Sequence, residues 1–299
     1  MSEPWITEPG RYGLSEEDYH ADMVIGGSLS STGARTLITA TPARYAYDRE
    51  HGRPDTAAFD LGRAAHTVVL GTGAPIVEVA ADDWRGKAAK ESAAEARAAG
   101  ATPLLTRDVE RVHAMAQALR AHPVAGPLFA RSGVAEQSFV GRDPETGVMC
   151  RVRVDWLPDV EPGARALVVD YKSCADASPL GFAASMARYG YHQQGPFYGD
   201  VLRWLGLADD VQTVLVAQEK DPPHLVTVGW PDAEATAWGR VLNRKARDLY
   251  AACTAAGHWP GHPTEPVEFA LPGWQSRQYE LADEAGAYRV AADLIGDPA

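Results

Sequence analysis

The feature that most constrains this chain is a strand with charge in its middle. Residues 166–172, Ala-Leu-Val-Val-Asp-Tyr-Lys, form a nearly continuous apolar run of the kind found in strands buried on both faces. Asp170 and Lys172 stand two residues apart within it, so on a strand both point to one face. An ionised carboxylate and an ammonium in a central strand are costly unless each has a partner or a task. The two can neutralise each other or sit at a solvated strand end. The tripeptide alone leaves these readings open beside a catalytic one.

A second charged strand precedes it. Residues 135–141 alternate, Asp143-Pro144-Glu145-Thr146-Gly147 is a turn signal, and residues 148–157 alternate again, which predicts a hairpin. Alternation sets Val152, Val154 and Trp156 on one side and Arg151, Arg153 and Asp155 on the other. Adjacent antiparallel strands can bring Asp155 beside Asp170, and two such carboxylates repel unless a cation lies between them. Oxygen ligands of this kind suit Mg²⁺ or Mn²⁺. A hard cation on two Asp, with a Lys beside it, suits phosphodiester hydrolysis: it polarises the phosphoryl oxygen and acidifies a bound water. The ammonium can orient that water or offset transition-state charge, and a lysine whose pKa is lowered by burial beside a metal can take a proton. The rival reading of Asp155 is an ion pair with Arg151 or Arg153 across the hairpin.

The remaining elements are read from caps and period. Ser30 or Ser31 caps a helix carrying Ala34, Leu37 and Ile38; Thr41-Pro42 starts a second, which Gly52 stops. A third runs from near Asp55 to Gly71, with Phe59, Gly62, His66 and Val69 on one face. Residues 75–80 read as a strand, 86–99 as an exposed helix whose Glu91, Glu95 and Arg97 form a solvated face, and Thr106 as the cap of another helix. Helices at 179–188 and 191–205, strands at 212–219 and 224–230, a long helix from Pro231 to Ala256 and one from Asp283 to Ile295 complete the pattern. The order is that of a mixed α/β (α+β) fold, with a central mixed sheet flanked by helices. A single domain spanning 1–299 is expected, with residues 1–30 largely irregular and 257–299 a C-terminal extension.

With 40 Asp+Glu against 28 Lys+Arg the net charge is −12, which excludes coating nucleic acid through bulk charge but not meeting DNA in a local basic groove. No apolar run approaches the ~18–20 residues of a membrane span, and the opening Met-Ser-Glu-Pro-Trp has neither the basic nor the apolar stretch of a signal peptide. The 3 cysteines are far apart, which argues against a disulfide framework or structural zinc and for a reduced, intracellular setting.

Four segments together resemble the RecB-like branch of the PD-(D/E)xK nuclease superfamily. Gly62-Arg63-Ala64-Ala65-His66 matches its GxxxH helix, Asp155 its first acidic position, Asp170-Tyr171-Lys172 its (D/E)xK strand, and Gln194-Gly195-Pro196-Phe197-Tyr198 its QxxxY helix. The chain further resembles the RecE-type (exonuclease VIII-like) nuclease domain of phages and prophages. That likeness runs through Leu14–Tyr19, Ser28–Ser31, Pro42-Ala43-Arg44-Tyr45, Leu61–Leu70, Glu136–Lys172, Tyr191–Tyr198 and Glu219-Lys220-Asp221-Pro222-Pro223. The chain departs from the superfamily's name motif, since Val154 rather than Pro precedes Asp155. It also lacks the four cysteines that hold an iron–sulfur cluster in CRISPR-associated relatives, so no iron–sulfur cluster is expected.

The resemblance implies a restriction-endonuclease-like core and a role for each matched residue. His66, Asp155, Asp170 and the backbone carbonyl of Tyr171 would ligate a metal, with Gly62 letting the His66 helix approach closely, and Lys172 would be the catalytic lysine. Glu136 is either a ligand of a second metal or a surface strand residue. Gln194 and Tyr198 either support the site and touch DNA or pack between helix and sheet. Ser30, Arg35 and Arg44 either hold a terminal 5′ phosphate or serve as caps and surface charges, and His66 by itself could be a core histidine. Some of the 8 Trp and 11 Tyr could stack unpaired bases, although most belong in a core.

The implied activity is a Mg²⁺-dependent DNA exonuclease, with Mn²⁺ able to substitute. It would degrade one strand of duplex DNA ends 5′ to 3′ and leave 3′ overhangs for recombination. The implied partner is a single-strand annealing protein, the implied assembly a closed homo-oligomeric ring, and the expected location the cytoplasm. Two alternatives stand beside it: a structure-specific or single-strand endonuclease of DNA repair, and a catalytically inactive DNA-end-binding module.

Overall fold

The apolar run at 166–172 lies inside a strand flanked by strands on both sides in the structure, a computed structural model that describes residues 3–52, 57–161 and 163–288. The chain forms two compact units, Met1–Gly261 and His262–Ala299.

The first unit opens with β1 (Gly10–Tyr12), α1 (Glu16–Ala21) and β2 (Leu29–Ser30). These three short elements lie in the segment read as largely irregular. They form because Ile6, Leu14, Tyr19, Met23 and Val24 bury themselves together against Val140 and Met149. Next come α2 (Ser31–Thr39) and α3 (Pro42–His51), capped by the hydroxyls of Ser30 and Thr41, with Gly52 at the end of α3 at a φ of 71°. α4 (Ala57–Leu70) ends at Gly71 as expected, while its predicted start near Asp55 falls outside the described residues.

β3 (Ile76–Val79), α5 (Lys87–Ala98) and β4 (Thr102–Leu105) form a small parallel pair with its crossover helix. β4 was not legible: it is four residues long and contains Pro103, which reads as loop. α6 (Thr106–Ala121) follows directly, so Leu105 occupies the cap position and Thr106 is already helical. The Thr106 hydroxyl, expected to cap, instead donates to Glu78 at 2.6 Å. The short α7 (Ala125–Phe129) leads into the hairpin of β5 (Gly133–Arg142) and β6 (Met149–Pro158), then β7 (Ala166–Cys174). α8 (Pro179–Tyr189), α9 (Tyr191–Trp204), β8 (Val211–Glu219), β9 (Val226–Gly229) and α10 (Ala233–Ala256) complete the unit. The second unit contains α11 (Gly273–Glu284), placed earlier in sequence than the helix expected over Asp283 to Ile295, whose last residues fall outside the described ones.

The main sheet has strand order β1-β5-β6-β7-β8-β9, with β2 pairing alongside β6. All neighbours on that path are antiparallel except β7 and β8, which α8 and α9 connect as a parallel crossover. One core joins the sheet to α2, α3, α9 and α10 through Leu37, Tyr45, Val152, Val168, Phe197 and Tyr250. A second joins the other face to α4, α6 and α7 through Leu61, Ala65, Met115, Ala125, Val169 and Tyr171. β7 therefore feeds both cores, as its apolar run requires. Among the described residues no helix is long and apolar enough to cross a membrane.

Candidate metal centre

Strand register assembles the acids. Ala135 pairs with Trp156 and Gln137 with Val154, so Glu136 and Asp155 face each other between these rungs. Trp156 pairs with Val169, which sets Asp155 beside Asp170. Glu136, Asp155 and Asp170 thus form one row across β5, β6 and β7. The pleat is broken at this row. Glu136 has a φ of 52°, the left-handed region that non-glycine residues seldom adopt. On β6, Val152 and Val154 enter the first core, whereas Trp156 packs in the second and donates from its indole nitrogen to the Leu128 carbonyl at 3.1 Å. Strict alternation placed Trp156 with the valines. The phase change beside Asp155 corrects that reading.

α4 adds the third donor. His66 Nδ1 lies 3.6 Å from Asp155 Oδ2 and 3.9 Å from Glu136 Oε1. One ligand atom from each of His66, Glu136 and Asp155 falls within 4.8 Å of the others. The ring of His66 meets the ring of Tyr171 edge-on at 5.1 Å. The proposed close approach of Gly62 is not what brings this helix in: a Cβ there would meet only Ser173 Oγ, at 3.5 Å, an ordinary contact.

Each acid is held by a different group. Asp155 Oδ2 accepts the Tyr171 amide at 2.9 Å. Glu136 pairs with Arg153, whose Nη1 also donates to the Leu14 carbonyl at 2.8 Å. Arg151 is drawn away to Asp22 at 2.8 Å and to Ser28, so neither hairpin arginine takes Asp155 as its ion-pair partner. Asp170 receives Lys172 Nζ on Oδ2 at 2.6 Å and Gln194 Nε2 on Oδ1 at 2.7 Å, and that amide also reaches the Tyr198 hydroxyl at 3.0 Å. The Asp–Lys pairing is therefore real, and it sits inside the acid cluster. Asp170 adjoins the three clustered donors while its own oxygens are engaged by Lys172 and Gln194.

Burial dominates the electrostatics. It pushes the Asp170 carboxyl up to about 6, against the pull of Lys172 and with the push of Asp155. Burial also raises Asp155 against Lys172 and the Tyr171 amide, and raises Glu136, with Asp155 adding and Arg153 opposing. Burial and the nearby Lys172 lower His66, so its imidazole is neutral at neutral pH and free to act as a ligand. Burial alone would lower Lys172, but Asp170 and Asp155 together outweigh it and hold the ammonium above the ordinary lysine range.

The three suggested phosphate contacts are otherwise engaged. Ser30 Oγ accepts the Gly33 amide at 3.1 Å as the α2 cap, and exposed Arg44 pairs with Asp48 at 2.7 Å. Arg35 donates to the Tyr189 carbonyl. Two residues went unnoticed as parts of the site. The ring of Tyr191 lies 5.2 Å from Lys172 Nζ. Gln218, fully buried on β8, accepts the Tyr171 hydroxyl at 2.7 Å and donates to the Met115 carbonyl at 2.8 Å. The signal for Gln218 was the one that exposed Asp170: a polar residue in an apolar strand.

The donor set suits a divalent cation: two carboxylates and a neutral imidazole, with a charged lysine adjacent. The fold and centre define a mixed α/β domain with a carboxylate–histidine cluster between its central strands and α4. Residues 35–269 match the family described as "PDDEXK-like domain of unknown function (DUF3799)", and the chain belongs to that family. No curated protein matches it. Among solved structures it is similar to one from Eubacterium rectale described as a "Putative exonuclease". The two are 13% identical with a TM-score of 0.57, over 96% of this chain and 100% of the other, a likeness that establishes the shared fold.

Proposed function

We propose that this protein is a divalent-cation-dependent deoxyribonuclease, and specifically an exonuclease that degrades one strand of duplex DNA from the 5′ end. The observation that carries the reading is the convergence of His66, Glu136 and Asp155 to within 4.8 Å, beside the Lys172–Asp170 pair. Membership of a PDDEXK-like family supports it, as does the description of the Eubacterium rectale structure. His66, Asp155, Asp170 and the Tyr171 carbonyl would hold Mg²⁺ or Mn²⁺, and Glu136 would add a ligand for a second ion. When bound, such an ion supplies Lewis acidity at the phosphoryl oxygen and an acidified water.

The chain's own residues do the positioning. The Tyr171 amide holds one oxygen of Asp155, and Gln194, steadied by Tyr198, holds one oxygen of Asp170. Lys172, paired with Asp170, would supply a positive charge near the negative charge that develops on the phosphoryl oxygens. Tyr171 is pinned by Gln218 and in turn abuts His66, which fixes the imidazole plane.

At the finest grain the proposal includes 3′ overhangs used in recombination, a single-strand annealing protein as partner, a homo-oligomeric ring around DNA and action in the cytoplasm, where cellular DNA ends occur. These rest on the sequence resemblance. The test is a duplex labelled at one 5′ end, incubated with Mg²⁺ or Mn²⁺, beside a closed circular duplex. Progressive release of label from the 5′ end with an intact circle is expected. Internal cuts in the circle would replace the exonuclease by a repair endonuclease, and no cleavage with either ion would leave a DNA-end-binding module.

A further inference from the structure

The surface beside Lys172 carries a feature that begins at Tyr191 and extends beyond the acid cluster. Helix α8 buries none of its residues, yet it is rich in apolar side chains, with Leu180 84% exposed. It ends at Gly190, whose φ of 69° lets α9 depart without an intervening loop. This elbow places Tyr189 and Tyr191 on either side of one glycine with their rings stacked, 5.7 Å apart and inclined by 29°. Phe182 stacks on Tyr191 at 5.9 Å and 25°. The three rings form a ladder with Tyr191 in the middle and Tyr189, 44% exposed, at one end.

The ladder is charged as well as flat. Lys172 Nζ stands 5.2 Å from the Tyr191 ring, and the Arg188 guanidinium 5.5 Å from the Tyr189 ring. Arg35 donates to the Tyr189 carbonyl and packs so tightly on the elbow that a Cβ at Gly190 would come within 2.7 Å of its Cδ. Three cations thus gather at one aromatic surface of a chain whose net charge is −12. Rings and guanidinium groups together are what unpaired bases and their phosphates bind, whatever their sequence. Inside an intact duplex the bases are stacked on one another, and only an end pair offers a free face.

We propose that Phe182, Tyr191 and Tyr189 form a stacking platform for an unpaired nucleotide next to the scissile phosphate, so that the strand to be cut enters the site frayed. This rests on the nuclease reading of the acid cluster, because it places the strand by reference to Lys172.

The test has two readouts on the full chain. Binding of a fluorescent single-stranded oligothymidylate is followed by anisotropy in EDTA, for wild type, Tyr189→Ala, Tyr189→Trp and Phe182→Leu. Cleavage is followed on a blunt duplex and on the same duplex with its end unpaired. Tyr189→Ala should weaken single-strand binding about tenfold, and Tyr189→Trp should retain it. Wild type should cut the frayed end faster than the blunt one, a preference that Tyr189→Ala should lose. Unchanged binding in Tyr189→Ala, or equal loss in Tyr189→Trp, overturns the platform even where the wild type cuts DNA normally. Tyr189-dependent binding by a wild type that cuts nothing would instead retain the platform and remove the nuclease reading. If Tyr189→Ala fails to fold by circular dichroism, Phe182→Leu carries the same comparison.

Discussion

The carboxylate of Asp155 accepts the backbone N–H of Tyr171 at 2.9 Å, continuing the pairing of β6 with β7 through a side chain. The backbone register of the two strands is anchored one residue away, at Trp156 and Val169. One oxygen of the first acid is thereby fixed by the same tripeptide that presents Asp170 and Lys172. That same oxygen, Oδ2, lies 3.6 Å from His66 Nδ1. Asp155 is a structural acceptor as well as a candidate ligand, and the two duties separate by mutation. Asp155→Ala leaves the fully buried Tyr171 amide without its acceptor and should cost about 1–3 kcal/mol in urea unfolding. Asp155→Asn keeps an oxygen there and should cost clearly less, while both variants lose cleavage. Equal stability of the two would show that the hydrogen bond contributes nothing.

Lys172→Met should lower cleavage by about 10²-fold or more, since it removes a charge aimed at the transition state. It also strands Asp170, whose carboxyl already stands at about 6, and lifts it further above its ordinary 3.8. A carboxyl with a raised folded pKa holds more protons folded than unfolded, so its cost appears as pH rises through that interval. The stability deficit of Lys172→Met should therefore be small near pH 4 and grow to neutral pH. Denaturant melts across that range would show it, and a deficit independent of pH would contradict the ion pair.

The same sign governs the cation. Glu136, Asp155 and Asp170 are all raised by burial, so the metal-free protein is strained by their ionisation at neutral pH. Mn²⁺ should raise the melting temperature more at neutral pH than below about pH 6, where protons occupy the Asp170 site. Calorimetry near that pH should detect proton release on binding. An ion effect equal on both sides of the Asp170 titration would mean that the cation binds elsewhere. His66→Ala should weaken the ion's effect without abolishing the fold.

Two helical glycines should respond oppositely to alanine. At Gly62 the new Cβ meets only Ser173 Oγ at 3.5 Å, so helix propensity decides and Gly62→Ala should be neutral or stabilising by up to ~1 kcal/mol. At Gly239, on α10, the Cβ would stand 2.2 Å from the His192 carbonyl of α9, a backbone atom that cannot swing away. Gly239→Ala should destabilise by ~1–3 kcal/mol. Thermal melts of the two variants decide it, and a loss of stability in Gly62→Ala would restore the close-approach role suggested by the sequence.

Much of this protein was legible from its residues alone because the signals are local. The apolar run of β7 with Asp170 and Lys172 inside it, the turn around Gly147, and the caps at Ser30 and Thr41 each depend on neighbours in the chain, and all stand where period and capping place them. Local signals failed where several short elements act together. β4 and the N-terminal elements are too short to show a period and form because distant residues bury them.

What only the tertiary structure decided is how the charges are shared. Residue order names Glu136, Asp155, Asp170 and Lys172, but strand register, the positive φ at Glu136 and the phase change at Trp156 determine which acids converge on His66. Gln194 and Lys172 claim Asp170, Arg153 claims Glu136, and the Tyr171 amide claims one oxygen of Asp155. These contacts join groups from different strands and helices, so their strengths depend on burial and on distances that sequence spacing does not contain. The stacked rings of Tyr189, Tyr191 and Phe182 follow the same rule: the residue types were visible, but the elbow at Gly190 sets them face to face.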